Sequence, residues 1–127
     1  FRRVLFRSRG DAALRARFAR ERHLHAPALI DAEVASAIRG LLLTTRPEVQ
    51  ITATGAEDML EDFADLPIVR YPMQPLQRRA LSLRHNFTAY DAFYVALAES
   101  LGMPLLTDDS KFAKAPTPPA PIEVWSA

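Results

Sequence analysis

The sequence contains no cysteine, which excludes disulfides and cysteine-based zinc sites. Its three histidines, His23, His25 and His85, have no zinc-ligand spacing. No apolar run is long enough to cross a bilayer. The first residues alternate Arg with apolar side chains and lack the apolar core of a secretory signal, so the expected location is cytoplasmic. Net charge is also small, +1, so bulk charge points to neither a nucleic acid nor a membrane. Lysine is scarce: Lys111 and Lys114 apart, the basic residues are all Arg. Arginine's planar fork suits phosphate, although a GC-rich coding bias explains the same excess. There is no internal repeat and no linker between domains. Pro116 to Pro121 is expected to be an extended connector.

What is present suits one domain. A chain of 127 residues can bury one core, and 49% apolar with 24% charged residues is an ordinary globular balance. The pattern predicts a helix over 11–22, a short strand over 23–26 and a helix over 29–43. Ile30, Val34, Ala37, Ile38 and Leu41 fall on one face of that second helix. A further helix over 56–65 is expected to turn Met59, Leu60 and Phe63 inward, and Ile68 to Tyr71 reads as a strand. A helix over 75–85 is expected to turn in Leu76, Ala80 and Leu83. Thr88 to Leu101 is the strongest helix, with Thr88 as its N-cap and Gly102 where a terminal glycine belongs. Met103 to Thr107 reads as a buried strand, 110–115 as a short helix, and Ile122 to Trp125 as a last strand. Such alternation predicts an α/β fold with a mainly parallel sheet, and sites in such folds lie at the carboxyl ends of strands. Asp109 is placed there, just past Thr107.

Three acids lie in otherwise apolar settings: Glu33, Asp91 and Asp109. A carboxylate beside a packed element is costly unless it is paired, hydrogen-bonded or metal-bound. Carboxylates that converge repel one another, and a hard cation with oxygen ligands relieves the repulsion. Each acid also has a plain structural explanation. Asp91 can form a capping-box variant with Thr88, Asp109 can cap the helix from Ser110, and Glu33 can be solvated in the first turn of its helix. Asp31 competes with Glu33 as the inward acid and Asp108 with Asp109; spacing alone settles neither contest.

The segments Arg84 to Ala98 (RHNFTAYDAFYVALA), Pro104 to Ala113 (PLLTDDSKFA) and Ala26 to Arg39 (APALIDAEVASAIR) resemble, in order and in spacing, three motifs of VapC-like PIN-domain proteins. These are an Asp-Ala pair opening an Ala-rich helix, an apolar strand ending in Thr-x-Asp, and a Pro before a helix bearing one acid. The likeness spans about Gly10 to Trp125. It implies that Glu33, Asp91 and Asp109 are the catalytic, metal-holding acids rather than Asp31 and Asp108. It places Thr107 behind them as a supporting residue and Arg84 at a basic position suited to RNA phosphate. It further implies an endoribonuclease using Mg²⁺ or Mn²⁺ on tRNA or ribosomal RNA, neutralised by a VapB-like antitoxin. Homodimers are common in such proteins.

The family pattern also includes an Asp at the end of a first strand, followed by a first helix. Residues 1–8, FRRVLFRS, contain no acid, and they resemble the translation of a sequencing-library adapter. They are expected to be a non-native tail, with 9–127 a single PIN domain that lacks its first strand and first helix. In a diverged protein, Val4 to Phe6 would instead form a makeshift strand with Arg where the acid belongs, opposing metal binding. Removing a central strand exposes apolar surface and unpaired edges. This polypeptide is therefore expected to fold poorly or to lack nuclease activity. The alternative function is a catalytically inactive RNA-binding or antitoxin-binding module. An aspartyl-nucleophile phosphohydrolase also needs an early strand-end Asp, and no companion motif for one appears.

Overall fold

A computed structural model describes residues 23–107, 112, 114–115 and 118–124. The expected tail, the helix expected over 11–22, Asp108, Asp109, much of the short helix at 110–115, part of the proline connector and Trp125 lie outside the described residues. Strand β1 (Leu24–Pro27) leads into helix α1 (Leu29–Leu43), helix α2 (Ala53–Ala64) and strand β2 (Ile68–Tyr71). A 3₁₀ turn (Gln74–Leu76) and helix α3 (Gln77–Ser82) precede helix α4 (Ala89–Leu101), strand β3 (Leu105–Thr107) and strand β4 (Ile122–Val124).

Both strand pairings are parallel. Leu24 faces Ile68 and Pro27 faces Tyr71 in the first ladder; Leu105 faces Ile122 and Thr107 faces Val124 in the second. Parallel strands need long crossovers, which α1 and α2 supply between β1 and β2. The His25 Nδ1 and Tyr71 hydroxyl lie 2.8 Å apart and tie this ladder at its side chains as well. The expected single sheet appears, among the described residues, as two separate two-stranded ladders. Neither ladder has a third strand there to join it to the other.

Helix α4 is the hub. Ala92, Tyr94, Val95, Ala96, Leu97 and Ala98 are all buried, so the helix is covered around most of its girth. It packs on β1, β3 and α3. Thr88 caps its start, and Gly102, at φ +63°, ends it. The Gly102 N–H donates to the Glu99 carbonyl (3.1 Å) and the Met103 N–H to that of Ala98 (3.0 Å), which satisfies carbonyls the helix would otherwise leave open. A Cβ at Gly102 would meet nothing within 4 Å, so the cost of adding one lies in the backbone alone. Gly102→Ala is expected to lower stability by about 1 kcal/mol in urea denaturation. An unchanged midpoint would show that the left-handed turn is not strained by a side chain.

Helix α1 forms because Ile30, Val34 and Ile38 recur at fourfold spacing, and all three are buried. Helix α2 begins at Ala53, three residues earlier than its apolar pattern suggests. The reason is Thr52, whose hydroxyl accepts from the Gly55 N–H at 3.0 Å. Its inward face is Ala56, Met59 and Phe63, with Ala56 buried. Leu60, expected inside, is 41% exposed because it lies one helical step past Met59. The helix expected over 75–85 is shorter, with a 3₁₀ turn at Pro75 and α-helix over Gln77–Ser82. Leu76, Ala80 and Leu83 are nevertheless buried as expected.

Candidate metal centre

Glu33 and Asp31 sit two residues apart on α1, about 200° around the helix from each other. They cannot both face α4, and the structure separates them. Asp31 is exposed and faces β2, where the Arg70 Nε donates to both of its carboxylate oxygens at 2.9 and 2.8 Å. That hydrogen bond, ahead of the opposing effect of burial, raises the Arg70 pKa above its ordinary value. The same guanidinium lies 5.5 Å from the Phe63 ring centroid, which fixes it further.

Glu33 is half-buried and turns the other way. The Tyr94 hydroxyl, from α4, donates to Glu33 Oε1 at 2.5 Å. Tyr94 is 9% exposed and belongs to the main core, so its ring is fixed by packing. Asp91 lies three residues before Tyr94, and residues so spaced are neighbours on one helix face. Side chains on a helix lean toward its N-terminus, so Tyr94 leans over the turn that carries Asp91. The hydrogen bond thereby ties the Glu33 carboxylate to α4, the helix that also carries Asp91.

Asp91 itself is half-buried in the first turn of α4. Its backbone N–H donates to the Thr88 hydroxyl at 3.4 Å, and its carboxylate is in the position where a helix dipole favours negative charge. Thr107 closes β3 and is 2% exposed. Asp109, two residues further on, lies outside the described residues, so its place relative to Glu33 and Asp91 is not part of this geometry. Arg84 is exposed, with its Nη1 donating to the Leu81 carbonyl at 3.3 Å. Among the described residues no three acidic or histidine side chains are grouped closely enough to hold a metal. Glu33 and Asp91 both offer carboxylate oxygens, the donor type that suits a hard cation.

Sequence reasoning did not single out Tyr94 or Arg70. Tyr94 carried a usable signal, since it lies one turn from Asp91 on the same helix. Arg70 carried none, because its partner is 39 residues away and depends on β2 lying beside the start of α1.

A model of the PIN domain matches residues 2–118. Ribonuclease VapC1 of Mycobacterium tuberculosis is 44% identical over 101 residues, covering 79% of this chain and 73% of that protein. Ribonuclease VapC12 of the same species is 38% identical over 109 residues, covering 86% and 81%. VapC ribonuclease Mb0985 of Mycobacterium bovis is 38% identical over 114 residues, covering 90% and 86%. The parallel ladders, the helices between them and these matches together place the chain in the PIN-domain family, in its VapC-like branch.

Proposed function

We propose that this PIN fold serves metal-dependent hydrolysis of RNA phosphodiester bonds, as the toxin of a toxin–antitoxin pair. The observation that carries the reading is the hydrogen bond from the Tyr94 hydroxyl of α4 to Glu33 Oε1, which turns this acid toward the helix that carries Asp91. The relatives named above, all ribonucleases, support the same chemistry. Glu33, Asp91 and Asp109 would hold Mg²⁺ or Mn²⁺. Bound there, the cation supplies a lowered pKa for its water and neutralises charge on the phosphoryl and leaving oxygens. Thr107, buried at the end of β3, would support the acids from behind. Arg84 is exposed one loop before α4 and offers its fork to RNA phosphate. The partner is a VapB-like antitoxin that covers the acids.

The test begins with Mn²⁺ binding by the chain, followed by electron paramagnetic resonance. Glu33→Gln is expected to weaken binding and Asp31→Asn to leave it unchanged. The reverse order, or no binding at all, overturns the assignment. A second reading is an RNA-binding or antitoxin-binding module without catalysis. The two readings part on one assay with tRNA or ribosomal RNA in saturating Mg²⁺. Cleavage that stops on chelation belongs to the nuclease; RNA binding without cleavage belongs to the module.

A further inference from the structure

The contact between Tyr94 and Glu33 spans 61 positions of sequence and joins α1 to α4. The tyrosine hydroxyl is the donor and one carboxyl oxygen of Glu33 the acceptor. The donor ring is buried and belongs to the main core, which also includes Val34, Ala92, Val95 and Ala98. The acceptor is at the half-buried edge. A rigid donor and a flexible acceptor make a one-way arrangement: the tyrosine dictates where the carboxylate goes. A free glutamate side chain has several rotamers, and ordering such a chain carries an entropy cost that this bond meets before any ligand arrives.

We propose that Tyr94 is a positioning residue. Its hydroxyl takes Glu33 Oε1 and so leaves Oε2 as the oxygen presented to a divalent cation beside Asp91. The inference rests on the metal-site reading above and adds to it a binding mode, one oxygen of Glu33 rather than both. It also accounts for an aromatic hydroxyl directed at an acid from within the core. The ring of phenylalanine would fill the same space, so packing alone does not call for the hydroxyl.

The experiment uses the full chain and compares Tyr94→Phe, Glu33→Gln and the double variant. Two quantities are read: Mn²⁺ affinity by electron paramagnetic resonance, and the urea midpoint without metal. Tyr94→Phe is expected to weaken Mn²⁺ binding about 10- to 100-fold, as loss of a ligand's supporting hydrogen bond typically does. The double variant is expected to bind no more weakly than Glu33→Gln, because Tyr94 acts through Glu33. The spectrum of bound Mn²⁺ should also change in Tyr94→Phe as the second oxygen becomes free to coordinate. A merely structural tie between helices would lower the urea midpoint and leave Mn²⁺ affinity unchanged. That result overturns the inference while Glu33→Gln and Asp91→Ala still report on the site itself. If the unaltered chain binds no Mn²⁺, the metal-site reading and this inference fall together. Additive losses in the double variant would also overturn it, since Tyr94 would then act by another route.

Discussion

Ile30→Ala is expected to lower the stability of this domain by about 3 kcal/mol, the middle of the range for removing a large buried aliphatic side chain. Ile30 is 1% exposed and lies in the first turn of α1. It belongs to the main core together with Ala26 of β1 and Val34 of its own helix. The substitution removes apolar area and leaves a cavity whose walls belong to regular elements, so little collapse is available. Small domains have few kilocalories of net stability, and a loss of this size shifts the urea midpoint strongly. The same measurement on Leu60→Ala is expected to show under 1 kcal/mol, because Leu60 is on the outer side of α2. Equal losses at the two positions would contradict the burial assigned to α1 and α2.

Asp91→Asn is expected to weaken divalent-metal binding by about 100-fold or more, beyond the effect of losing a supporting contact. Loss of the helix-dipole contribution of a first-turn acid costs up to about 1 kcal/mol of folding stability. The substitution keeps the shape of the side chain and removes the charge. A hard cation loses an anionic oxygen donor, while the cap made by the Thr88 hydroxyl to the backbone of residue 91 is untouched. Thr88→Ala is the complementary change. It removes the cap, costs about 1 kcal/mol of stability and leaves the metal affinity nearly intact. Isothermal titration with Mn²⁺ and urea denaturation on both variants would separate the two roles of this turn. Should Asp91→Asn lower stability and spare metal binding, Asp91 is a capping residue only.

Much of this fold is legible in the sequence because its elements are marked by local chemistry. Thr88 and Gly102 delimit α4, and both act as their types predict. Ile30, Val34 and Ile38 declare the inner face of α1 through simple periodicity. Where the local signal is weak, the reading falters. Helix α2 starts with Ala53, Thr54 and Gly55, which carry little apolar pattern, so its true start at the Thr52 cap was hidden. Leu60 reads as inward from its apolar side chain, yet Ala56 and Met59 define the inner line and a small alanine gives a faint signal. The arrangement into two ladders could not be read at all, since pairing between strands is set by contacts far apart in sequence.

The candidate site follows the same division. Asp91 announces itself by its place in a capped, apolar helix. Glu33 does not, because Asp31 is two residues away and equally acidic. What distinguishes them is what each one meets across the fold, an aromatic hydroxyl in one case and a guanidinium in the other. Family resemblance favours Glu33 from the sequence, and the geometry gives a physical reason to turn it toward α4. Asp109 lies outside the described residues, and its role rests on the resemblance and on the strand end at Thr107.

The two acids of α1 together have a mechanical meaning. A stripe of Ile30, Val34 and Ile38 fixes which side of the helix is inside, but a smooth apolar stripe tolerates some rolling about the helix axis. Arg70 pulls on one flank through Asp31, and Tyr94 on the opposite flank through Glu33. Like guy-lines on either side of a mast, they resist rotation in both senses. The exposed pair therefore reaches beyond its own weak energy: slackening it at Arg70 would let α1 roll, and the angle at which Glu33 is presented would drift with it.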